Sequence, residues 1–284
     1  MNASPARILI FAGHDPCGGA GIQADIEATL AAGAFPLTII TARTAQNTAG
    51  VAALNPADSD MLEREFLTLK QDFDFDACKI GLLPTAEIAA LVADLCSTLK
   101  PLPMVLDPVM RAGAGQRLAA PDVASVVSSQ LLPLVRVVTP NVGEAFALTG
   151  ADDVETAGQR LCEAGAGYVL ITDGDGASSG APHPTLSPQA GRGDGEGEAE
   201  AGTIQNRLFH HGRLRREYTW PRLPGSFHGS GCTLASSIAA RLGQGLSPEE
   251  AIEQAQRYTF ETLRRALTIG RAQRHPNRLL WQSE

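Results

Sequence analysis

Apolar and polar positions along the chain fall into two alternating patterns. Short β-branched runs at Arg7–Ala12, Pro36–Ala42, Ala77–Ile80, Met104–Asp107, Val135–Thr139 and Tyr168–Thr172 predict buried strands. Between them lie helical periodicities: Ile22, Ile26 and Leu30 at i, i+4, i+8, then Ala86–Leu99, Pro121–Leu131 and Asn141–Leu148. Leu234, Ile238 and Leu242 mark a further helix. A last one starts at Ser247-Pro248-Glu249-Glu250, with serine as N-cap, proline in the first turn and glutamate closing a capping box. Arg207–His211 and Arg216–Trp220 flank a glycine-containing turn and read as a hairpin. Strands that alternate with helices imply an α/β fold, a mostly parallel sheet with helices on both faces. Ligands of such sheets sit beyond the carboxyl ends of the strands.

No internal repeat or second domain is evident, so residues 1–284 read as one domain. One stretch breaks the pattern. Residues 177–202 are rich in Gly, Pro, Ser and Glu and nearly devoid of apolar side chains, which predicts a disordered insertion. The formal charge of −8 argues against a nucleic-acid or anionic-membrane surface, which needs clustered Lys and Arg. Small anionic ligands remain compatible with it, because backbone amides and a metal ion handle phosphate locally. The five cysteines, Cys17, Cys78, Cys96, Cys162 and Cys232, are scattered without CxxC spacing, which points away from disulfides and zinc ribbons and toward a cytoplasmic protein. The first seven residues lack an apolar core of the signal-peptide kind.

Candidate chemistry concentrates at two glycine-rich segments. Pro224-Gly225-Ser226-Phe227-His228-Gly229-Ser230-Gly231-Cys232-Thr233 runs straight into a helix. Bare amides converging there would make an anion site suited to a phosphoryl group in transfer. Cys232 falls in the first helical turn, where the dipole lowers a thiol's pKa and makes it a candidate base. A buried structural cysteine is the bland alternative. The second segment, Gly13-His14-Asp15-Pro16-Cys17-Gly18-Gly19-Ala20-Gly21, joins the first strand to the first helix. It is neither a GxGxxG nor a GxxxxGK[ST] motif, which excludes a Rossmann or P-loop protein by motif. Asp25 follows one turn into that helix, either as a functional carboxylate or as an ordinary acidic residue near a helix start. Gln46, after the second strand, offers donor and acceptor to a ring edge. Asp107, Asn141 and Glu144 stand at later strand ends, where oxygen ligands suit Mg²⁺. Asn141 and Glu144 also read as an N-cap and its capping partner.

Taken in order, Ala12–Asp25, Ile40–Thr48, Lys79-Ile80-Gly81, Val105–Met110, Thr139–Ala145 and His228–Leu234 closely resemble the hydroxymethylpyrimidine/phosphomethylpyrimidine kinases of the ribokinase-like superfamily. The resemblance implies a three-layer α/β/α kinase that uses ATP and Mg²⁺ on a hydroxymethylpyrimidine and then on its monophosphate, as a cytoplasmic homodimer. It implies that Asp25 and Gln46 hold the substrate's polar edges, with Gly13, Thr44 and Leu82 lining the pocket. Asp107 and Glu144 would serve the metal. Asn141, Ser230, Thr172 and Gly174 would serve the nucleotide, and Gly229, Gly231 and Cys232 the anion hole and catalytic position, where many relatives carry Asp. The chain departs from the pattern at Ile171-Thr172-Asp173-Gly174, where relatives usually carry a Lys-Gly-Gly run, so the second phosphorylation is expected to be the slower one. Lys79 and Arg111 are the cations that spacing offers as substitutes. Two other readings compete: a pyridoxal or pyridoxine kinase, which shares the fold, and a catalytically silent binding protein that kept the pocket.

Overall fold

The computed structural model describes residues 4–99, 101–113, 115–173 and 202–280. Residues 177–201 of the expected insertion lie outside them. The strands are β1 (Arg7–His14), β2 (Phe35–Asn47), β3 (Gly50–Pro56), β4 (Ala77–Ile80), β5 (Met104–Leu106), β6 (Val137–Val138), β7 (Tyr168–Ile171), β8 (Thr203–His210) and β9 (Arg213–Pro221). They form one nine-stranded sheet in the order β3-β2-β1-β4-β5-β6-β7-β8-β9. Six of them, β1, β2 and β4–β7, run parallel, while β3, β8 and β9 are antiparallel extensions at the two edges. The predicted strands are present, although β6 shrinks to two residues.

The period of two explains why both faces carry a core. Leu9 and Phe11 of β1 enter one apolar cluster with Phe66, Ile80, Val92 and Leu161. Ile8, Ile10 and Ala12 enter the other with Val105, Leu170, Leu234, Ile238 and Ile252. The first cluster is roofed by α2 (Ser59–Asp72), α3 (Ala86–Ser97), α4 (Val123–Val126, which runs into a π turn over Val127–Leu131), α5 (Val142–Thr149) and α6 (Val154–Glu163). The second is roofed by α1 (Gly21–Ala31), α7 (Ser230–Gly243) and α8 (Pro248–Arg264). The α8 capping box forms as expected, with Ser247 and Glu250 reciprocally bonded.

One expectation about α1 is corrected. Leu30 was expected to continue a buried stripe with Ile22 and Ile26, yet it is 49% exposed. The buried face is Ile22, Ala24, Asp25, Ala28 and Thr29. Small residues let α1 and α7 approach closely, and that rotation turns Leu30 outward. Burying Asp25 has consequences for the site.

Candidate active site

Every strand end on the parallel side of the sheet delivers at least one of the expected residues. Gly13 closes β1, where a register shift against β2 falls between Ala12 and Gly13. A Cβ at Gly13 would stand 2.8 Å from Leu82 Cδ2, so these two expected pocket residues are in contact. β2 and β3 continue past the body as an antiparallel hairpin, on which Thr44 and Gln46 are half-buried while Arg43, Ala45 and Asn47 are exposed. Alternation therefore aims Thr44 and Gln46 at the site.

Gln46 is anchored in a network that sequence reading missed. Its amide lies 2.8 Å from His228 Nε2, and His228 Nε2 is 2.8 Å from Asp15 Oδ2. Thr44 donates its hydroxyl proton to His14 O at 2.9 Å, so it has none left for Gln46. The imidazole Nε2–H goes to the Asp15 carboxylate. The network is satisfied when the Gln46 amide oxygen faces His228 and its NH₂ donates to Thr44 Oγ1. Asp15 also accepts from the amides of Cys17 and Ala20 at 3.0 and 2.8 Å. Burial alone would raise the Asp15 pKa, but the bonds from His228, Cys17 and Ala20 outweigh it and hold the carboxyl well below the usual range.

The two glycine-rich segments meet face to face. Gly229, at φ +81°, N-caps α7, and a Cβ there would lie 2.0 Å from Gly19 O. Gly21, at φ +59°, opens α1, and a Cβ there would lie 2.2 Å from Gly13 O. The starts of both helices therefore meet at this junction, and neither N-cap residue, Ala20 or Gly229, brings a side-chain cap. A Cβ at Gly231 would stand 3.6 Å from Asp107 Oδ1, which places that nearly buried carboxylate against the α7 start. The expected anion hole and the β5 carboxylate are thus adjacent.

Arg278, only 2% exposed, clamps this junction from the C-terminal segment. It donates to Thr233 Oγ1 at 2.8 Å, to Glu27 at 3.1 Å, to Gly18 O at 3.3 Å and to Gly19 O. No local signal in the sequence marks an arginine beyond the last helix as part of a site.

Two expectations change. Asp25 was expected to offer its carboxylate to the substrate. It is fully buried, and its oxygens accept from Lys79 Nζ at 2.9 and 3.0 Å and from Ser236 Oγ at 2.7 Å. The close α1–α7 packing turns it onto Lys79 instead. Lys79, also fully buried, spends two of its three N–H groups there, so it is not a free cation for a second phosphate. Burial would lower its pKa, but the negative fields of Asp25 and Asp107 keep it above the ordinary value.

Cys232 is the second. The dipole was expected to depress its thiol, yet burial and the nearby Asp107 and Asp25 push it up, against the opposing pull of Lys79 and a bond from the Gly21 amide. The resting thiol is protonated. Its geometry is otherwise as expected, at the first turn of α7 and one turn before Ser236 on the same face.

The far side of the site holds Asn141 and Thr172. They form an isolated parallel bridge, with Thr172 N donating to Pro140 O at 3.0 Å and Val142 N to Thr172 O at 3.2 Å. Asn141 and Glu144 make the full capping box of α5. Glu144 also accepts from Met110 N at 3.3 Å. Ser230 is the first residue of α7. Gly174 lies outside the described residues. Arg111 is exposed and donates to Gly115 O at 3.1 Å.

Comparison with known proteins bears on this arrangement. A family model described as phosphomethylpyrimidine kinase matches residues 15–277. The hydroxymethylpyrimidine/phosphomethylpyrimidine kinase of Haemophilus influenzae is 35% identical over 270 residues, covering 93% of each chain. Against the chloroplastic thiamine biosynthetic bifunctional enzyme of Arabidopsis thaliana, 33% identical, the chain spans 46% of the relative's length. Among solved structures, a phosphomethylpyrimidine kinase from Clostridium difficile superposes with a TM-score of 0.70 at 28% identity, covering 91% of this chain and 99% of that one. A pyridoxal kinase from Staphylococcus aureus in complex with ADP gives 0.81 at 22% identity, covering 98% and 95%, a likeness of fold alone.

Proposed function

The chain belongs to the phosphomethylpyrimidine kinase family, and on that premise we propose that it transfers the γ-phosphoryl group of ATP to the hydroxymethyl group of 4-amino-5-hydroxymethyl-2-methylpyrimidine, and more slowly to the resulting monophosphate. One observation carries the reading: the uncapped start of α7, Gly229–Cys232, abuts Asp107 where β1, β2 and β4 bring their ends together. Phosphoryl transfer asks mainly for positioning and for stabilisation of spread negative charge, and converging amides supply both. In this reading Gly13 and Leu82 floor the pyrimidine pocket, with Thr44 and Gln46 reaching it from the hairpin. Asn141, Thr172 and Ser230 flank the nucleotide, and Gly174 keeps the nucleotide-binding role that the resemblance gives it. The reading carries over the cytoplasmic homodimer that the resemblance implies.

Magnesium fits the donor set unequally. Asp107 is a nearly buried oxygen donor facing the α7 start and suits a hard cation. Glu144 spends oxygens on the Asn141 and Met110 amides, so it would reach the ion through water. Bound there, the ion would neutralise phosphate charge.

Proton removal falls to Cys232 in this reading, with a consequence. Because the thiol's pKa is raised, only a small thiolate fraction exists near neutrality. A rate that depends on it climbs about tenfold per pH unit between pH 7 and 9. Lys79, beneath the same face of α7, favours the thiolate.

The substrate test compares kcat/KM for the pyrimidine alcohol with that for pyridoxal under identical Mg-ATP. The proposal expects the pyrimidine to win by at least about tenfold. Preference for pyridoxal would hand the chain to the other vitamin kinases of this fold, and turnover of neither would make it a silent binder.

A further inference from the structure

The junction of the two glycine-rich segments holds a donor set that the kinase reading uses only to brace Gln46. Asp15, Cys17 and His228 each offer one ligand atom, and the three lie within 4.8 Å of one another. Asp15 Oδ2 is 3.4 Å from Cys17 Sγ and 2.8 Å from His228 Nε2. Asp15 and His228 are 3% and 5% exposed, and Cys17 is half-buried. In a tetrahedral site with zinc-type bond lengths, ligand atoms stand about 3–4 Å apart. The carboxylate–thiol spacing already fits, and the carboxylate–imidazole spacing needs to open by only about half an ångström.

Hydrogen bonding accounts for two of these residues but not for the third. Asp15 organises its loop and staples it to His228, which in turn anchors Gln46. A thiol is a weak donor, and a serine would serve that staple at least as well. Sulfur together with imidazole and carboxylate is what selects a borderline-soft divalent cation over magnesium. The frame is stiff, because a Cβ at Gly19 would meet the His228 ring at 2.0 Å, so the imidazole rests directly on the loop backbone. There is also a way in. Cys17 lines a surface cleft with Gly18, Glu27, His275 and Arg278. His275, 4% exposed and edge-on to His228, gives its Nε2 to Cys17 O at 3.0 Å and leaves a buried Nδ1 acceptor without a partner among the described residues.

We infer that Asp15, Cys17 and His228 form a binding site for a zinc-type divalent cation, with the fourth position open to water or to the Gln46 amide oxygen. Binding releases the Cys17 thiol proton and moves the His228 ring proton from Nε2 to Nδ1, so that both donor atoms carry lone pairs. It also takes His228 away from Gln46, which couples the ion to the hairpin. The site stands whether or not the substrate is a pyrimidine, since its readout is spectroscopic.

The experiment is a Co²⁺ titration of the intact chain after chelator treatment. One equivalent is expected to produce tetrahedral visible bands and a thiolate-to-cobalt charge-transfer band in the near ultraviolet, both removed by Zn²⁺. Cys17→Ser, which keeps the bond to Asp15, should retain the wild-type melting temperature and kinase activity. It should lose the charge-transfer band and bind Co²⁺ at least about 10- to 100-fold more weakly. Cys232→Ser should keep the band. A folded wild type with no charge-transfer band at one equivalent overturns the site, and so does a band that survives in Cys17→Ser.

Discussion

The two glycine-rich segments look alike in sequence but do opposite jobs. The segment after β1 is braced: Asp15 collects two backbone amides and His228, and Arg278 seizes the carbonyls of Gly18 and Gly19. The segment before α7 is left open, since its N-cap, Gly229, has no side chain to spend on the helix start. Bracing fixes a wall. Openness leaves donors for a ligand, which is what an anion hole requires. Glycine content alone does not distinguish the two. What distinguishes them is where the side chains around each one spend their polar atoms.

The hardest way to break the contrast is at Gly229, where the two segments touch. Gly229→Ala places a methyl 2.0 Å from a backbone oxygen in a positive-φ position. It should cost about 3–5 kcal/mol of stability and abolish activity, as denaturant unfolding and turnover would record. A destabilisation under about 1 kcal/mol would mean the loops are not in contact.

Next comes the reactive residue of the open segment. Cys232→Ala should lower turnover by about 10²–10⁴ while leaving ATP binding measurable by calorimetry. Cys232→Asp supplies a base whose ordinary pKa lies several units below a thiol's. It should therefore recover activity and flatten the alkaline rise in rate. A wild-type profile that is flat from pH 7 to 9 would remove Cys232 as the base.

A smaller effect concerns the cation that the open segment lacks. Lys79 is committed to Asp25, and Thr172 offers no charge to offset the repulsion that a phosphorylated substrate brings. Thr172→Lys should accelerate the second phosphoryl step by about 10- to 150-fold relative to the first. A time course separating mono- from diphosphate reads this, and equal ratios in wild type and variant would refute it.

The mildest test sits in the braced segment. Gly18 also has positive φ (+75°), but a Cβ there meets nothing within 4 Å. Gly18→Ala should therefore cost only about 1 kcal/mol, the conformational term alone. Set beside Gly229→Ala, it separates backbone strain from contact.

Much of this was legible in the sequence. Alternating runs located the parallel strands, and the residues at or near their carboxyl ends, Gly13, Gln46, Asp107, Asn141 and Thr172, do collect at one edge because parallel strands share a direction. What escaped was set by tertiary packing. Asp25 sits one turn into its helix, and only the close approach of α7 turns it onto Lys79. The raised pKa of Cys232 comes first from burial and then from carboxylates far away in sequence. Arg278 lies 45 residues beyond its partner Thr233, and no local periodicity announces that contact. The β3 hairpin partner, α2 and α6 were also missed, since their surfaces are largely polar or exposed.

The most direct test of the account is product analysis. The intact chain is incubated with Mg-ATP and 4-amino-5-hydroxymethyl-2-methylpyrimidine, and the products are followed by mass spectrometry over time. Stoichiometric ADP is expected, with a monophosphate that accumulates before any diphosphate appears. No phosphorylated pyrimidine from folded, ATP-binding protein would contradict it.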